Sequence, residues 1–284
     1  MLEYGLQVVS DIHLEFRGKH VVYSNLLPRK ATDLALCGDI GRPFMEVSGA
    51  ICHYKQFLMY AADTWRHVFI VTGNHCYYGH RKSDTDARVQ AYCNERPNLH
   101  FLNDSAYIFT QEDNVRLFHG IYGSTLWTDV TDAAFANMND HRIRPERHFV
   151  MEYTRKSACI SADTIRNWHT SHKDAMQAKL TEHKLPEGKK WIVMTHHPPR
   201  PPPVFLKEGV EMHADAATWS AYINDLPKSL FDDSKIAVWL CGHLHAHFDS
   251  VVDGIRYVSN CMGYPTERNV GYDASCLIEY MSKT

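Results

Sequence analysis

The chain has no Cys-x-x-Cys pair; its eight cysteines sit singly at positions 37, 52, 76, 93, 159, 241, 261 and 276. That spacing excludes a zinc knuckle, and in the absence of a secretion signal it argues against a disulfide framework. No apolar run approaches the roughly 20 residues that a bilayer crossing requires. The opening residues, Met1-Leu-Glu-Tyr-Gly-Leu, lack a basic segment ahead of a long apolar one, so a cytoplasmic location is expected. An excess of one charge is also missing. Thirty Lys and Arg against 33 Asp and Glu leave a net charge of -3, with no basic stripe to attract long nucleic acid or an anionic membrane. There are no repeats or low-complexity tracts apart from Pro198 to Pro203, where five of six residues are proline. That run reads as a stiff loop rather than a domain linker.

With 284 residues, 44% of them apolar and 22% charged, the chain reads as one globular domain spanning residues 1–284, long enough to bury a substantial core. Nineteen histidines are many for this length, and only their positions can separate functional ones from structural ones. The informative positions follow short apolar runs. Trp191-Ile-Val-Met reads as a buried strand that stops at Thr195 and His196 before His197 and the prolines. Delivering side chains at the C-terminal tip of a core strand is how open α/β sheets present ligands to a crevice.

Four further tips share this layout. Leu6-Gln-Val-Val-Ser runs into Asp11-Ile-His13, where a spacing of two sends both side chains to one side of a strand. Asp33-Leu-Ala-Leu-Cys ends at Gly38-Asp39, and His67-Val-Phe-Ile-Val-Thr at Gly73-Asn74-His75. Lys235-Ile-Ala-Val-Trp-Leu-Cys ends at Gly242-His243-Leu-His245, again a pair two apart. Taken singly, each block is an ordinary turn. Cys37 and Cys241, at the ends of such runs, read as buried and inert thiols.

Between the tips, apolar spacing predicts helices over 46–66, 81–94 and 157–184. Strands are expected at 99–102, 107–110, 115–122, 256–260 and 274–280. The alternation of strand and helix predicts an α/β fold with parallel pairing. The polar stretch 128–152 carries Arg142 and Arg144, two apart and candidates for contact with a substrate phosphate.

Together, Asp11, His13, Asp39, Asn74, His196, His243 and His245 form a nitrogen and oxygen donor set with no thiolate. Such a set suits Mn, Fe, Zn, Ni or Co rather than a copper–thiolate site, with Mn expected to support activity. Seven donors exceed the needs of one tetrahedral ion and suffice for two if one carboxylate bridges. Two cations roughly 3.5–4 Å apart can polarise a phosphoryl oxygen and deprotonate a shared water for in-line attack.

The five blocks, in this order and context, resemble the calcineurin-like metallophosphoesterase superfamily. Leu126-Trp127-Thr128-Asp129, Met138-Asn139-Asp140 with Arg142, and Asn260-x-x-Gly263-Tyr264 resemble a branch of small bacterial phosphoesterases. The resemblance implies a four-layer α/β/β/α sandwich with a dimetal centre at the C-terminal ends of its strands. It implies Asp11, His13, Asp39 and His245 around one metal, and Asp39, Asn74, His196 and His243 around the other, with Asp39 bridging. It further implies hydrolysis of a phosphomonoester or phosphodiester by a metal-bridging hydroxide, with His75 unligated and acting as general acid. Expected substrates are small phosphoesters, a nucleotide among them. The competing readings are a non-catalytic scaffold of the same fold, which would be free to lose the donors, and a nuclease, which the acidic balance disfavours. One position departs from the family pattern. The residue after the acid histidine is usually Glu or Asp, and here it is Cys76, a change that bears on the pKa and rigidity of His75 more than on metal binding.

Overall fold

The structure is a computed structural model, and it describes residues 3–18, 20–45, 53–113, 115, 117–146, 159–182, 185–200, 220–227, 229–232, 235–267 and 271–280. The strands form two mixed sheets. The first has the order β11-β1-β2-β3-β4, built from β1 (Glu3–Val9), β2 (Ala31–Cys37), β3 (Val68–Val71), β4 (Leu99–Phe101) and the late β11 (Leu277–Glu279). Strands β1 to β4 are parallel, and β11 closes the edge antiparallel to β1. The second sheet has the order β5-β6-β7-β8-β10-β9, from β5 (Ser105–Ile108), β6 (Phe118–Ser124), β7 (Lys190–Thr195), β8 (Ile236–Cys241), β9 (His247–Val252) and β10 (Ile255–Asn260). Here β6, β7, β8 and β10 are parallel, with β5 and β9 antiparallel at the edges.

Residues alternate along each central strand between two cores, because successive side chains leave opposite faces. Leu6 and Val8 of β1, Phe69 and Val71 of β3, Ile192 and Met194 of β7 and Leu240 of β8 share one core drawn from both sheets. Leu34, Leu36, Val68 and Ile70 pack instead with Tyr54, Phe57 and Leu58 and with Val89 and Tyr92. Those partners lie on helices His53–Thr64 and Lys82–Cys93. Tyr122, Trp191, Val193 and Trp239 pack with Met176 and Leu180 of the long helix Ala162–Glu182. Three cores separated by two sheets are consistent with the four-layer order. Each fully buried Val, Leu, Ile or Phe contributes about 1.5–3 kcal/mol from removal of its apolar surface from water.

The expected elements are present with shifted ends. The helix expected over 46–66 is His53–Thr64, residues 46–52 lying outside the described ones. The helix expected over 157–184 is Ala162–Glu182, and residues 157, 158, 183 and 184 likewise lie outside. Strand β9 has no counterpart in the sequence reading. It pairs with β10 through Asp253 and Gly254, whose φ values of 51° and 78° are those of a tight hairpin turn.

Candidate metal centre

Backbone hydrogen bonds lace neighbouring strand tips together. Asp11 N donates to Gly38 O (3.0 Å), joining the ends of β1 and β2, and Gly242 N donates to His196 O (2.9 Å), joining those of β7 and β8. Across the sheets, Ser10 N donates to Asn260 O and Met262 N donates to Ser10 O. The glycine in three of the blocks is there because a donor from another block occupies the space of its missing Cβ. A Cβ at Gly38 would stand 2.2 Å from His196 Nδ1, one at Gly73 2.2 Å from Asp39 Oδ1, and one at Gly242 2.6 Å from Asp11 Oδ2.

The donor atoms cluster tightly. Nε2 of His13 lies 3.0 Å from Nε2 of His245, with Asp11 Oδ1 3.8 Å from the former and 3.4 Å from the latter. On the other side, Nε2 of His196 is 3.1 Å from Asn74 Oδ1, 3.2 Å from His243 Nδ1 and 3.5 Å from Asp39 Oδ2. The two groups are linked: donor atoms of Asp11, Asp39 and His196 lie within 4.8 Å of one another, as do those of His13, Asp39 and His75. All seven expected ligands are thus gathered at one place. His197, passed over in the sequence, also brings a donor atom within 4.8 Å of His196 and His243. Asp11 Oδ1 and the Nε2 atoms of His197 and His243 are buried without a hydrogen-bond partner.

Carboxylates and a carbonyl behind the imidazoles fix which nitrogen is bare. Nδ1 of His196 faces Cys37 O (3.0 Å), Nδ1 of His13 faces Glu15 Oε1 (3.1 Å), and Nδ1 of His245 faces Glu267 Oε2 (2.5 Å). An acceptor at Nδ1 places the ring proton there and leaves the Nε2 lone pair toward the cluster, the outer arrangement typical of metal-binding histidine. Asn74 is oriented likewise, its Nδ2 donating to Asp140 Oδ1 (2.9 Å) so that its oxygen faces inward. Orphaned buried donors, cradles that a Cβ would fill and correctly turned imidazoles all fit a pair of divalent cations.

Electrostatics agree. Burial alone would raise the carboxyls of Asp11 and Asp39, yet the close approach of His245 to Asp11, and the charges of His196 and its neighbours for both, hold them well below the usual range. Burial opposes protonation of His196 and His245, but Asp39 and Asp11 respectively push them up to about 9. His243 is held well below its ordinary value by burial and by His197 and His196. With no cation bound, protons on two imidazoles balance the two carboxylates, so metal binding would release protons.

His75 stands at the edge of the cluster. Its Nδ1 is 3.2 Å from Glu15 Oε1 and its Nε2 3.1 Å from Tyr264 Oη. Burial would lower it, but Asp39 and Glu15 outweigh that and raise it. Cys76 is buried among apolar side chains, its Sγ donating to Gly41 O (3.4 Å), and burial pushes its thiol well above the ordinary value. A cavity of about 400 Å³ opens over Asp39, Asn74, His75 and His243, walled by residues including Tyr78 and Tyr222. Neither Arg142 nor Arg144 is among the residues that line it. The Arg142 guanidinium lies 5.2 Å from the ring centre of Tyr78, and Arg144 is engaged through its backbone with His80. Glu15, Glu267 and His197 are the site residues the sequence reading missed. Glu15 had a signal, since it extends the two-residue spacing of Asp11 and His13, whereas Glu267 had none.

Two adjoining groups of candidate metal ligands at the strand ends of an α/β fold are an arrangement that fits the hydrolases built around paired metals. The particular family follows from sequence: residues 7–247 match the model for calcineurin-like phosphoesterases, and the chain belongs to that family. It is 28% identical over 284 residues to the uncharacterized protein L509 of Acanthamoeba polyphaga mimivirus, covering 93% of this chain and 92% of that one. Among solved structures it is similar to the phosphopantetheinyl hydrolase of Mycobacterium tuberculosis, with a TM-score of 0.63, 17% identity, and coverage of 93% of this chain and 90% of that one. It is also similar to the protein TT1561 of Thermus thermophilus, with a TM-score of 0.50, 10% identity, and coverage of 97% and 91%. At these identities the two structures speak to the fold. No helix among the described residues is long and apolar enough to cross a membrane.

Proposed function

We propose that the chain is a dimetal phosphoester hydrolase acting on a small phosphomonoester or phosphodiester. One cation is held by Asp11, His13, Asp39 and His245, the other by Asp39, Asn74, His196 and His243, with Mn as the metal that best supports activity. The observation carrying this reading is the gathering of seven nitrogen and oxygen donors, five of them on buried residues, in two linked groups, with Nε2 of His13, His196 and His245 each bared by an acceptor behind it. Bound there, two divalent cations would supply hydroxide at neutral pH and polarise the phosphoryl oxygen.

The chain's own residues do the rest. His75, at the cavity edge, gives its proton to the departing alcohol oxygen. A cavity of about 400 Å³ favours a small ester over a polymer. Retention of the whole donor set weighs against a non-catalytic scaffold. The phosphopantetheinyl activity named for the mycobacterial neighbour is compatible with a small phosphodiester here.

The test is a hydrolysis screen of phosphomonoesters, linear diesters and cyclic nucleotides with metal-free protein, adding back Mn, Fe, Zn, Ni, Co and Mg in turn. Turnover of at least one ester class is expected, restored by a metal bound at two equivalents. Binding of a single equivalent, or turnover indifferent to metal, would overturn the reading.

A further inference from the structure

The family pattern places a carboxylate directly after the acid histidine, and this chain has Cys76 there, buried and turned toward Gly41 O. The carboxylate that reaches His75 comes instead from the other end of the sequence motif. Glu15 lies on the short 3-10 turn Leu14–Phe16 that follows the first strand tip, with its side chain buried. One oxygen, Oε1, faces Nδ1 of His13 at 3.1 Å and Nδ1 of His75 at 3.2 Å. We infer that Glu15 is the positioning residue of His75, the carboxylate that fixes the ring with Nε2 toward the leaving group and ties it to the metal ligand His13.

The geometry leaves little freedom. A carboxylate only accepts, so both Nδ1 atoms that face it must donate. In His13 this bares Nε2 for the cluster. In His75 it leaves Nε2 as the nitrogen that faces the cavity side, where Tyr264 Oη lies 3.1 Å away. The ring of His75 is further held between His13 and Tyr78, each with its centroid 4.6 Å away. The tie explains how the usual acidic neighbour can be replaced by a buried cysteine without leaving the acid histidine unsupported. It rests on the phosphoesterase reading and on His75 as its acid.

The experiment uses metal-loaded protein and aryl phosphates of graded leaving-group acidity, comparing the unchanged chain with Glu15→Gln, His75→Ala and the double variant, with metal content measured on each. Glu15→Asp serves as a second, charge-retaining variant. Glu15→Gln is expected to keep two metal equivalents and lose about 10- to 100-fold in kcat on poor leaving groups, with little loss on the best ones. In the double variant the loss should be no greater than in His75→Ala alone, because the two act as one unit, and Glu15→Asp should recover part of the rate. The inference falls if the two losses multiply. It falls equally if Glu15→Gln slows every ester alike while shedding metal, which would make Glu15 a support of His13 only. If His75→Ala itself shows no dependence on leaving group, the acid role fails first and takes this inference with it. If no ester is turned over by the unchanged protein, the phosphoesterase reading itself is lost.

Discussion

Asp39 is the side chain on which the site closes. Its Oδ1 accepts from His75 N at 2.9 Å and lies in the space left by Gly73, while Oδ2 sits 3.5 Å from His196 Nε2. If Asp39 bridges two cations as proposed, Asp39→Asn replaces that anion with an amide whose NH2 repels a cation, and metal content is expected to fall from two equivalents to at most one. Activity should drop by more than the roughly 10- to 100-fold typical of an outer partner. Cys76→Ser is the contrast: the hydroxyl can donate to Gly41 O as the thiol does, so turnover should stay near that of the unchanged chain. Two metal equivalents in Asp39→Asn, or abolished turnover in Cys76→Ser, would each be incompatible with these assignments. At this scale the sequence was informative where a residue type carries its chemistry openly, as in Asp11, His13 and His245. Glu267 was hidden because its relevance depends on which loop folds back onto the cluster, and no local pattern encodes that.

The element that makes the site is the joint between a strand and its loop, and the joints after β1, β2 and β8 share one backbone device. Asp11, His13, Asp39, His243 and His245 all have positive φ, between 48° and 71°. Non-glycine residues rarely adopt this region, although Asp and His are among those that tolerate it. Holding five of seven donors there stores strain that the lacing between strand ends must offset. The glycines in the blocks suggest sharp turns to a sequence reader, but at Gly73, with φ near -107°, conformational freedom is not the reason for glycine. Space for Asp39 is. Gly73→Ala should therefore leave the backbone conformation allowed yet push Asp39 out of place, costing about 1–3 kcal/mol from overpacking and weakening metal affinity about 10- to 100-fold. Gly18→Ala, where a Cβ would meet nothing within 4 Å, is the control and should change neither. Calorimetric metal titration and denaturant midpoints decide between them, and equal metal affinity in both variants would remove the spatial argument. The missed strand β9 had a readable element-scale cue, the Asp253-Gly254 pair between apolar neighbours, which is a strong short hairpin signal.

In the whole molecule, the parallel strands were legible because they are apolar runs ending in turns. Their partition into two sheets was not, since strands buried on both faces give no alternation to say which face meets which. β3, β7 and β8 read alike in sequence, yet β3 belongs to one sheet and the other two to its neighbour. That burial also sets how the fold responds to acid. His172 lies between the long helix and the second sheet, 3.2 Å from Ser124 Oγ and 3.5 Å from Asp104 Oδ2. Burial above all, with the charges of Lys82 and His169, pushes it down to about 3. Burial and neighbouring His67 push His100 down to about 4. Both values are depressed below the unfolded 6.5, so each histidine contributes stability that is fully present above pH 6.5. That contribution is lost as pH falls, because the unfolded chain binds a proton that the fold refuses. The slope is about 1.4 kcal/mol per pH unit for each group. His196 and His245, raised to about 9 in the metal-free protein, keep their full stabilisation below pH 6.5 and so add nothing to the loss there. Asp104 and Asp140, raised by burial, work in the opposite direction and offset part of the loss. Metal-free protein should thus lose about 2 kcal/mol or more between pH 6.5 and 4.5, read from urea midpoints at constant m. His172→Gln, which cannot take up the proton, should lose measurably less over the same interval. An identical decline in the variant would show that this buried histidine does not govern the acid limit of the fold.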